Sequence, residues 1–172
     1  MRRFLGASTA FAASLLLLAC TGSAAPKRPR GGRAEAVSFQ TLVQRGIPGQ
    51  AGERIQEVAR DAASWKALWA KLREGTAPEV LPEEPPAVDF SREMAIVAAM
   101  PTQGCVSAVT VRSVQRARKE VVVTVLEAPP APNCVCIVSQ RPIHAIRLPR
   151  FPEPVRFVTQ QGQTSCGSPS GR

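Results

Sequence analysis

The chain of 172 residues has few of the side chains that commonly act in catalysis. It contains one histidine, no tyrosine and only 5% aromatic residues. A single histidine excludes any mechanism that needs two, and the lack of tyrosine removes a common general acid. Glycine-rich phosphate loops and clusters with metal-ligand spacing are also missing. We therefore expect neither a cofactor nor an enzymatic activity.

Long apolar runs are missing as well. No run reaches roughly 18 residues, so an ordinary transmembrane helix is not expected. Hydrophobic residues still make up 44% of the chain, enough for the core of one domain. Of the net charge of +9, more than half lies in the first 36 residues, before any foldable pattern begins. The basic residues 116–119 have no aromatic residue among them to stack bases, so nucleic acid is not an expected partner.

The N-terminus is typical of an export signal. Arg2 and Arg3 precede an apolar stretch over residues 4–19, which ends Leu17-Leu18-Ala19-Cys20. This ending resembles the lipobox of bacterial lipoproteins. The resemblance implies cleavage before Cys20 and lipidation of its thiol, with palmitate as an expected label and Thr21 favouring the outer membrane. The alternative is an ordinary secretory signal with an incidental cysteine.

The chain divides into four predicted segments. Residues 1–19 are a lipoprotein signal peptide, and residues 20–36 are the lipidated cysteine with a basic tether rich in Gly and Pro. Residues 37–158 are a folded domain, and residues 159–172 a polar tail. The tether cations either attract anionic headgroups beside the lipid or are merely solvated.

Four cysteines remain for the folded part: Cys105, Cys134, Cys136 and Cys166. Export places them in an oxidising compartment, where an even number favours disulfides. Cys134 and Cys136 would share one face of a strand, so we expect Cys105 to pair with one of them and Cys166 with the other, tying down the tail. Metal binding and redox catalysis are rival interpretations, but the Cys-Val-Cys spacing suits neither.

One amphipathic helix is predicted after Asp61, which stands at the N-cap position. Trp65, Leu68, Trp69 and Leu72 form a single apolar stripe behind it. The two tryptophans are either core residues or a ligand platform, and core is the commoner role.

Strands outnumber helices in the rest of the chain, and they follow one another without helices between them. This order predicts an α+β fold, a mainly antiparallel β domain with one amphipathic helix packed on it. Turns or loops are predicted at residues 46–49, 75–87, 101–104 and 128–132, and a hairpin tip at 116–119. The predicted strands are residues 37–43, 54–58, 94–100, 106–114, 121–126, 134–138, 143–148 and 155–158.

The order of these motifs resembles the domain of the protease-complex subunit PrcB family. The carrying motifs are the two tryptophans of the helix, PAVDF at 86–90, the turn PTQG at 101–104 and PIHAI at 142–146. The resemblance covers roughly residues 64–158 and implies an accessory or binding role. The family turn usually reads Pro-Thr-Gly-Gly followed by an aromatic residue, whereas here Gln103 and Cys105 stand at those places.

The resemblance makes Pro101, Thr102, Gln103 and Gly104 the candidate partner-binding residues. We expect a lipid-anchored envelope protein that binds another protein, such as a protease. The same turn is similar to a loop of chagasin-like inhibitors of cysteine proteases, which makes inhibition the alternative. A purely structural lipoprotein is a third interpretation. His144, the only candidate base, is expected to be structural.

Overall fold

The computed structural model describes residues 34–48, 52–76, 79–104, 107–132, 134–135 and 139–166. The predicted signal peptide and Cys20 lie outside these residues. The elements are β1 Glu35–Val37, β2 Gln40–Pro48, β3 Ile55–Ala59, α1 Ala62–Arg73, β4 Glu93–Ala99, β5 Gln103–Gly104, β6 Ala108–Arg116, β7 Val121–Ala128, β8 Ser139–Pro149 and β9 Val155–Gln161. In the described part of the chain, no helix has the length and apolar character to cross a membrane.

The strands form two sheets. The outer sheet has the order β1-β6-β7-β9, and the central sheet has the order β2-β8-β4-β3. Neighbouring strands are antiparallel except for β7 and β9, which run parallel. The predicted α+β class with mainly antiparallel sheets is therefore confirmed.

Strand β4 is buried on both faces, as its continuous apolar run predicts. Met94, Ile96 and Ala98 pack into the cluster formed with the outer sheet. The residues between them pack into a second cluster, which contains the apolar stripe of α1. The central sheet consequently lies between the outer sheet and the helix, and the domain has three layers.

Helix α1 begins as predicted. The carboxylate of Asp61 accepts a hydrogen bond from the Ser64 N–H at 2.7 Å, which caps the first turn. Trp65 and Trp69 are 2% and 1% exposed, so both are core residues rather than a ligand platform. Their indole N–H groups donate to the carbonyls of Pro86 and Pro82 at 2.9 and 3.0 Å. The Pro-rich loop thus provides the polar partners that buried tryptophans require.

The strand predicted over residues 37–43 is interrupted at Ser38 and Phe39, although residues 37 and 40–43 do lie in strands. The turn predicted over residues 46–49 is wrong at 46–48, and residue 49 falls outside the described residues. The chain leaves the outer sheet after β1, passes through Ser38 and Phe39, and enters the central sheet as β2. Strand β2 then continues through Gly46 to Pro48, beyond the expected turn. Pro48 has no N–H to donate, but it lies in an edge strand, so it does not interrupt the hydrogen bonds between strands in the middle of the sheet.

The other strand predictions differ mainly at their ends. The segments at 54–58, 106–114 and 121–126 correspond to β3, β6 and β7, and the loop between β6 and β7 is the expected hairpin tip. Cys134 and Val135 lie outside any strand, so the predicted strand at 134–138 is wrong there, while 136–138 fall outside the described residues. Strand β9 passes the predicted domain boundary at 158, and β1 begins ahead of the predicted boundary at 37.

Two substitutions test the double burial of the central sheet. Ile96→Ala opens a cavity towards the outer sheet, and Leu72→Ala opens one towards the helix, where both side chains are fully buried. Each change should lower the free energy of unfolding by roughly 2–5 kcal/mol in urea titrations. The exposed Lys66→Ala should stay within about 0.5 kcal/mol of wild type. A small loss for either buried change would contradict the three-layer packing.

Candidate functional site

The predicted partner-binding residues, Pro101, Thr102, Gln103 and Gly104, form what we call the PTQG segment. It lies at one end of the sandwich, called the disulfide end, where β4 and β7 finish and β3, β6 and β8 begin. The backbone N–H of Met100 donates to the carbonyl of Pro142 at 3.1 Å, and pairing with β8 resumes at Gln103. The expected turn is therefore wrong, because the segment continues the path of β4 after a kink. Pro101, which has no N–H to donate, stands at that kink.

The PTQG segment is held from its other side as well. The N–H of Thr102 donates to the carbonyl of Gly52 at 3.3 Å, and the N–H of Gly52 donates to Oγ1 of Thr102 at 3.1 Å. Gln103 pairs with Gln140 in β8 and donates from Nε2 to the carbonyl of Pro101 at 3.4 Å. Contacts on both sides make the segment a fixed surface rather than a protruding loop.

A disulfide joins Cys134 to Cys166 with their Cα atoms 5.3 Å apart. Next to it, the N–H and hydroxyl of Thr164 donate to the carbonyl of Pro129 at 3.1 and 3.3 Å. The bridge ties the tail to the Pro-rich break after β7, so the predicted pairing of Cys166 with one of the two neighbouring cysteines is confirmed. Cys105 and Cys136, the other disulfide candidates, lie outside the described residues.

Val135 follows the bridged Cys134 and is 97% exposed. Among the described residues, it is the large hydrophobic side chain that is exposed to solvent. A single exposed valine is ordinary on a protein surface. Here it directly follows a cysteine that is bonded to Cys166. The disulfide end therefore presents one apolar side chain next to a covalent cross-link.

A buried carboxylate lies beneath the disulfide end. Glu127 in β7 is 1% exposed, and its Oε2 lies 2.6 Å from Nη2 of Arg54. Its Oε1 and the Oγ of Ser107 are buried without a hydrogen-bond partner. Sequence reasoning missed this pair. One signal for it was available in the sequence. Glu127 occupies an inward-facing position in the alternation of a valine-rich strand, where burying a carboxylate costs free energy.

Arg141 is a second buried charge at this end, 8% exposed. Its Nη2 donates to the carbonyl of Glu53 at 2.7 Å, and burial lowers the pKa of the guanidinium. A Cβ on Gly52 would lie 2.5 Å from Nε of Arg141, so a larger residue there would have to displace the arginine side chain. The same glycine bonds to Thr102, and Arg141 thus supports the PTQG segment from below.

His144 lies between the two sheets and is 2% exposed. Its Nδ1 accepts a hydrogen bond from the N–H of Val111 at 2.8 Å, which places the ring proton on Nε2. Nε2 then donates to Oγ1 of Thr41 at 2.9 Å. Burial lowers the pKa of His144 to about 4. With both nitrogens engaged, this imidazole links the sheets and has no free nitrogen for a substrate.

Metal ligation finds no support in the described part of the chain. No group of three or more His, Cys, Asp or Glu side chains is placed there to hold an ion.

No protein-family model matches the chain, and neither a curated protein nor a solved structure matches it significantly. The resemblance to the PrcB family therefore stays a prediction from the sequence motifs. A functional assignment for this chain depends on the geometry of its described residues and on those motifs.

The buried His144 predicts a pH dependence of stability. Its folded pKa of about 4 lies below the ordinary value of 6.5, so the unfolded chain binds the extra proton first. Stability is complete above pH 6.5 and is lost as the pH falls towards 4. We expect the free energy of unfolding to drop by about 2 kcal/mol between pH 7 and pH 5 in urea titrations.

The matched control for this prediction is His144→Gln, whose side chain does not titrate. The variant should be less stable at pH 7, because the two hydrogen bonds of the imidazole are disturbed. It should lose the slope between pH 7 and pH 5. An unchanged slope would show that other groups cause it.

The disulfide predicts a second loss of stability. Replacing both Cys134 and Cys166 by serine frees a loop whose ends are 32 residues apart. The free energy of unfolding should fall by about 4 kcal/mol in the chain-entropy model. Ser165→Ala, at an exposed neighbour of the bridge, should have little effect. Peptide mapping of the oxidised protein should find Cys134 linked to Cys166, and any other partner for Cys166 would contradict the structure.

Proposed function

We propose that this protein is a lipid-anchored envelope protein whose domain binds another protein as a non-catalytic accessory subunit. The observation that carries the proposal is the surface of the disulfide end, formed by the hydrogen-bonded PTQG segment and the exposed Val135 next to the Cys134–Cys166 bridge. The resemblance to the PrcB family makes a protease complex the preferred class of partner. Lipidation of Cys20 and sorting to the outer membrane are part of the same proposal.

The binding role is supported by how the disulfide end is built. Backbone hydrogen bonds, strand pairing and a disulfide fix its segments before any partner arrives. A surface that is already ordered loses little conformational entropy on association. An exposed apolar side chain such as Val135 gains from being covered by a partner.

The non-catalytic role is supported by the state of the single histidine. Both ring nitrogens of His144 are hydrogen-bonded, and its low pKa keeps it neutral at physiological pH. A general base needs a free nitrogen within reach of its substrate. The ring of His144 is buried and both its nitrogens are hydrogen-bonded, so it offers a substrate neither a free nitrogen nor access.

Accessory binding is preferred over protease inhibition because of the PTQG segment. An inhibitor that wedges a turn into a cleft needs a projecting loop, whereas Gln103 and Gly104 are paired with β8. Thr102 is additionally joined to Gly52 by two hydrogen bonds. Contact through a surface supported by these hydrogen bonds fits this arrangement better than insertion.

Site-specific photo-crosslinking in intact cells tests the proposal. A photoreactive residue replaces Val135 in the full chain, and the matched control places it at the exposed Lys66 on α1. We expect one adduct of defined mass from position 135 and none from position 66. The protein should be recovered with membranes and carry palmitate label, and Cys20→Ala should lose both properties.

The activity of the captured partner separates the two hypotheses. A protease that stays active in the adduct supports the accessory role. A protease that is silenced, and that recovers when Thr102 and Gln103 are both replaced by alanine, supports inhibition instead. Equal crosslinking from positions 135 and 66 would overturn the proposed surface, and unchanged label in Cys20→Ala would overturn the anchor.

A further inference from the structure

A basic cleft lies at the opposite end of the sandwich, called the tether end, where β3, β6 and β8 finish and β4 and β9 begin. It measures about 450 Å³ and is lined by Arg60, Ser91, Arg92, Arg150, Phe151 and Pro152. Three of these six residues are arginines, and none is acidic. Sequence patterns do not indicate this cluster, because its arginines are far apart along the chain.

Two of the arginines are held by carbonyl oxygens rather than by carboxylates. Arg60 donates from Nη2 to the carbonyl of Glu153 at 2.7 Å and from Nε to that of Phe151 at 3.4 Å. Arg150 donates from Nη1 to the carbonyl of Phe90 at 2.5 Å. Carbonyl partners fix the guanidinium groups without cancelling their charge. Each group also keeps N–H donors beyond those used.

Acidic neighbours reduce this charge without removing it. Arg92 pairs with Asp89, its Nε 2.9 Å from Oδ2. Hydrogen bonds from Ser64 lower the pKa of Asp61, and the charge of Arg150 adds to this lowering, so the carboxylate lies near enough to Arg150 to offset part of its charge. The side chain of Glu153 faces Arg116, whose Nη2 lies 2.6 Å from Oε1. The cleft therefore retains positive charge from Arg60 and Arg150.

The chain enters the domain beside this cleft. In the ladder between β1 and β6, the backbone of Glu35 lies opposite that of Arg116, the last residue of β6, so β1 starts at the tether end. A second cleft, of about 330 Å³, is lined by residues 35–38 together with Arg116, Pro149 and Phe151. Phe151 borders both clefts. The first described residues are thus next to the arginine cluster.

From this placement we propose that the tether end binds the phosphodiester headgroups of anionic phospholipids through Arg60 and Arg150. The inference rests on the proposed lipid anchor. A Gly- and Pro-rich tether of 15 residues from Cys20 spans about 20 Å on average, which keeps the tether end near the bilayer. Guanidinium groups match phosphate oxygens in geometry as well as charge. Four tether cations between residues 27 and 33 add to the attraction.

Hydrogen exchange on vesicles tests the inference with the full chain. The lipidated protein is reconstituted into phosphatidylcholine vesicles or into vesicles with about one third phosphatidylglycerol. Amides at residues 89–93, 150, 151 and 153 should be protected on the anionic vesicles only. In R60Q/R150Q the docking constant read from that protection should fall about 25-fold, since each arginine near an anionic surface contributes about 1 kcal/mol, or roughly fivefold.

Two variants guard against trivial explanations. Lys66→Gln with Arg112→Gln removes two exposed cations that do not line the cleft and should keep most of the protection. R60K/R150K keeps both charges and should restore most of the docking, whereas docking that stays lost in this variant would overturn the positive charge as its cause. Protection lost equally in the Lys66 and Arg112 variant would overturn the cleft as the site.

The remaining outcomes are equally decisive. If inorganic phosphate at about 10 mM gives the same protection on neutral vesicles, the site binds free phosphate and the lipid proposal is wrong. If the protein floats with the vesicles but anionic lipid protects nothing, the inference fails while the anchor stands. If the protein does not float with any vesicle, the anchor itself fails.

Discussion

The burial of the central sheet on both faces is the constraint on which the rest of the structure depends. Strand β4 has apolar side chains towards the helix and towards the outer sheet, and residues 94–99 are buried in the two clusters. Polar groups in such a sheet must find partners inside the protein. His144 meets this demand across the sandwich, accepting from Val111 in the outer sheet and donating to Thr41 in β2. The two contacts link three strands through one neutral ring.

The same constraint explains the irregular points in the neighbouring strands. The register of β2 shifts between Thr41 and Val43, and that of β6 shifts between Val111 and Ser113. Each shift adjoins a partner of His144. Bulges reorient the groups beside them, and here an N–H and a hydroxyl face the imidazole. His144, the only candidate base in the sequence, is a structural element of the core, as expected.

Local signals predicted much of the fold, and long-range geometry was missed. The Asp61 cap, the tryptophan stripe and the apolar run of β4 each indicate their own structure, because cap chemistry and periodicity are local. The passage of the chain from the outer sheet to the central sheet at Ser38 gives no such local signal. The alternation of apolar and polar residues continues when a chain changes sheets. The parallel position of β9 and the grouping of Arg60 with Arg150 depend on residues far apart in sequence. The pairing of Cys166 was predictable only as a choice between two neighbours.

With both faces of the central sheet covered, contacts are left to the ends and edges of the sandwich and to the outward faces of the outer sheet and the helix. The short β1 leaves part of β6 unpaired, but Gln44 reaches over and donates from Nε2 to the carbonyl of Val109 at 3.3 Å and to Oγ1 of Thr110 at 2.9 Å. A side chain that occupies an edge discourages pairing with another chain. The two ends differ in chemistry, one restrained by a disulfide and the other lined by arginines. A domain docked on lipid by its arginine end would direct the disulfide end away from the bilayer, where a protein partner can reach it.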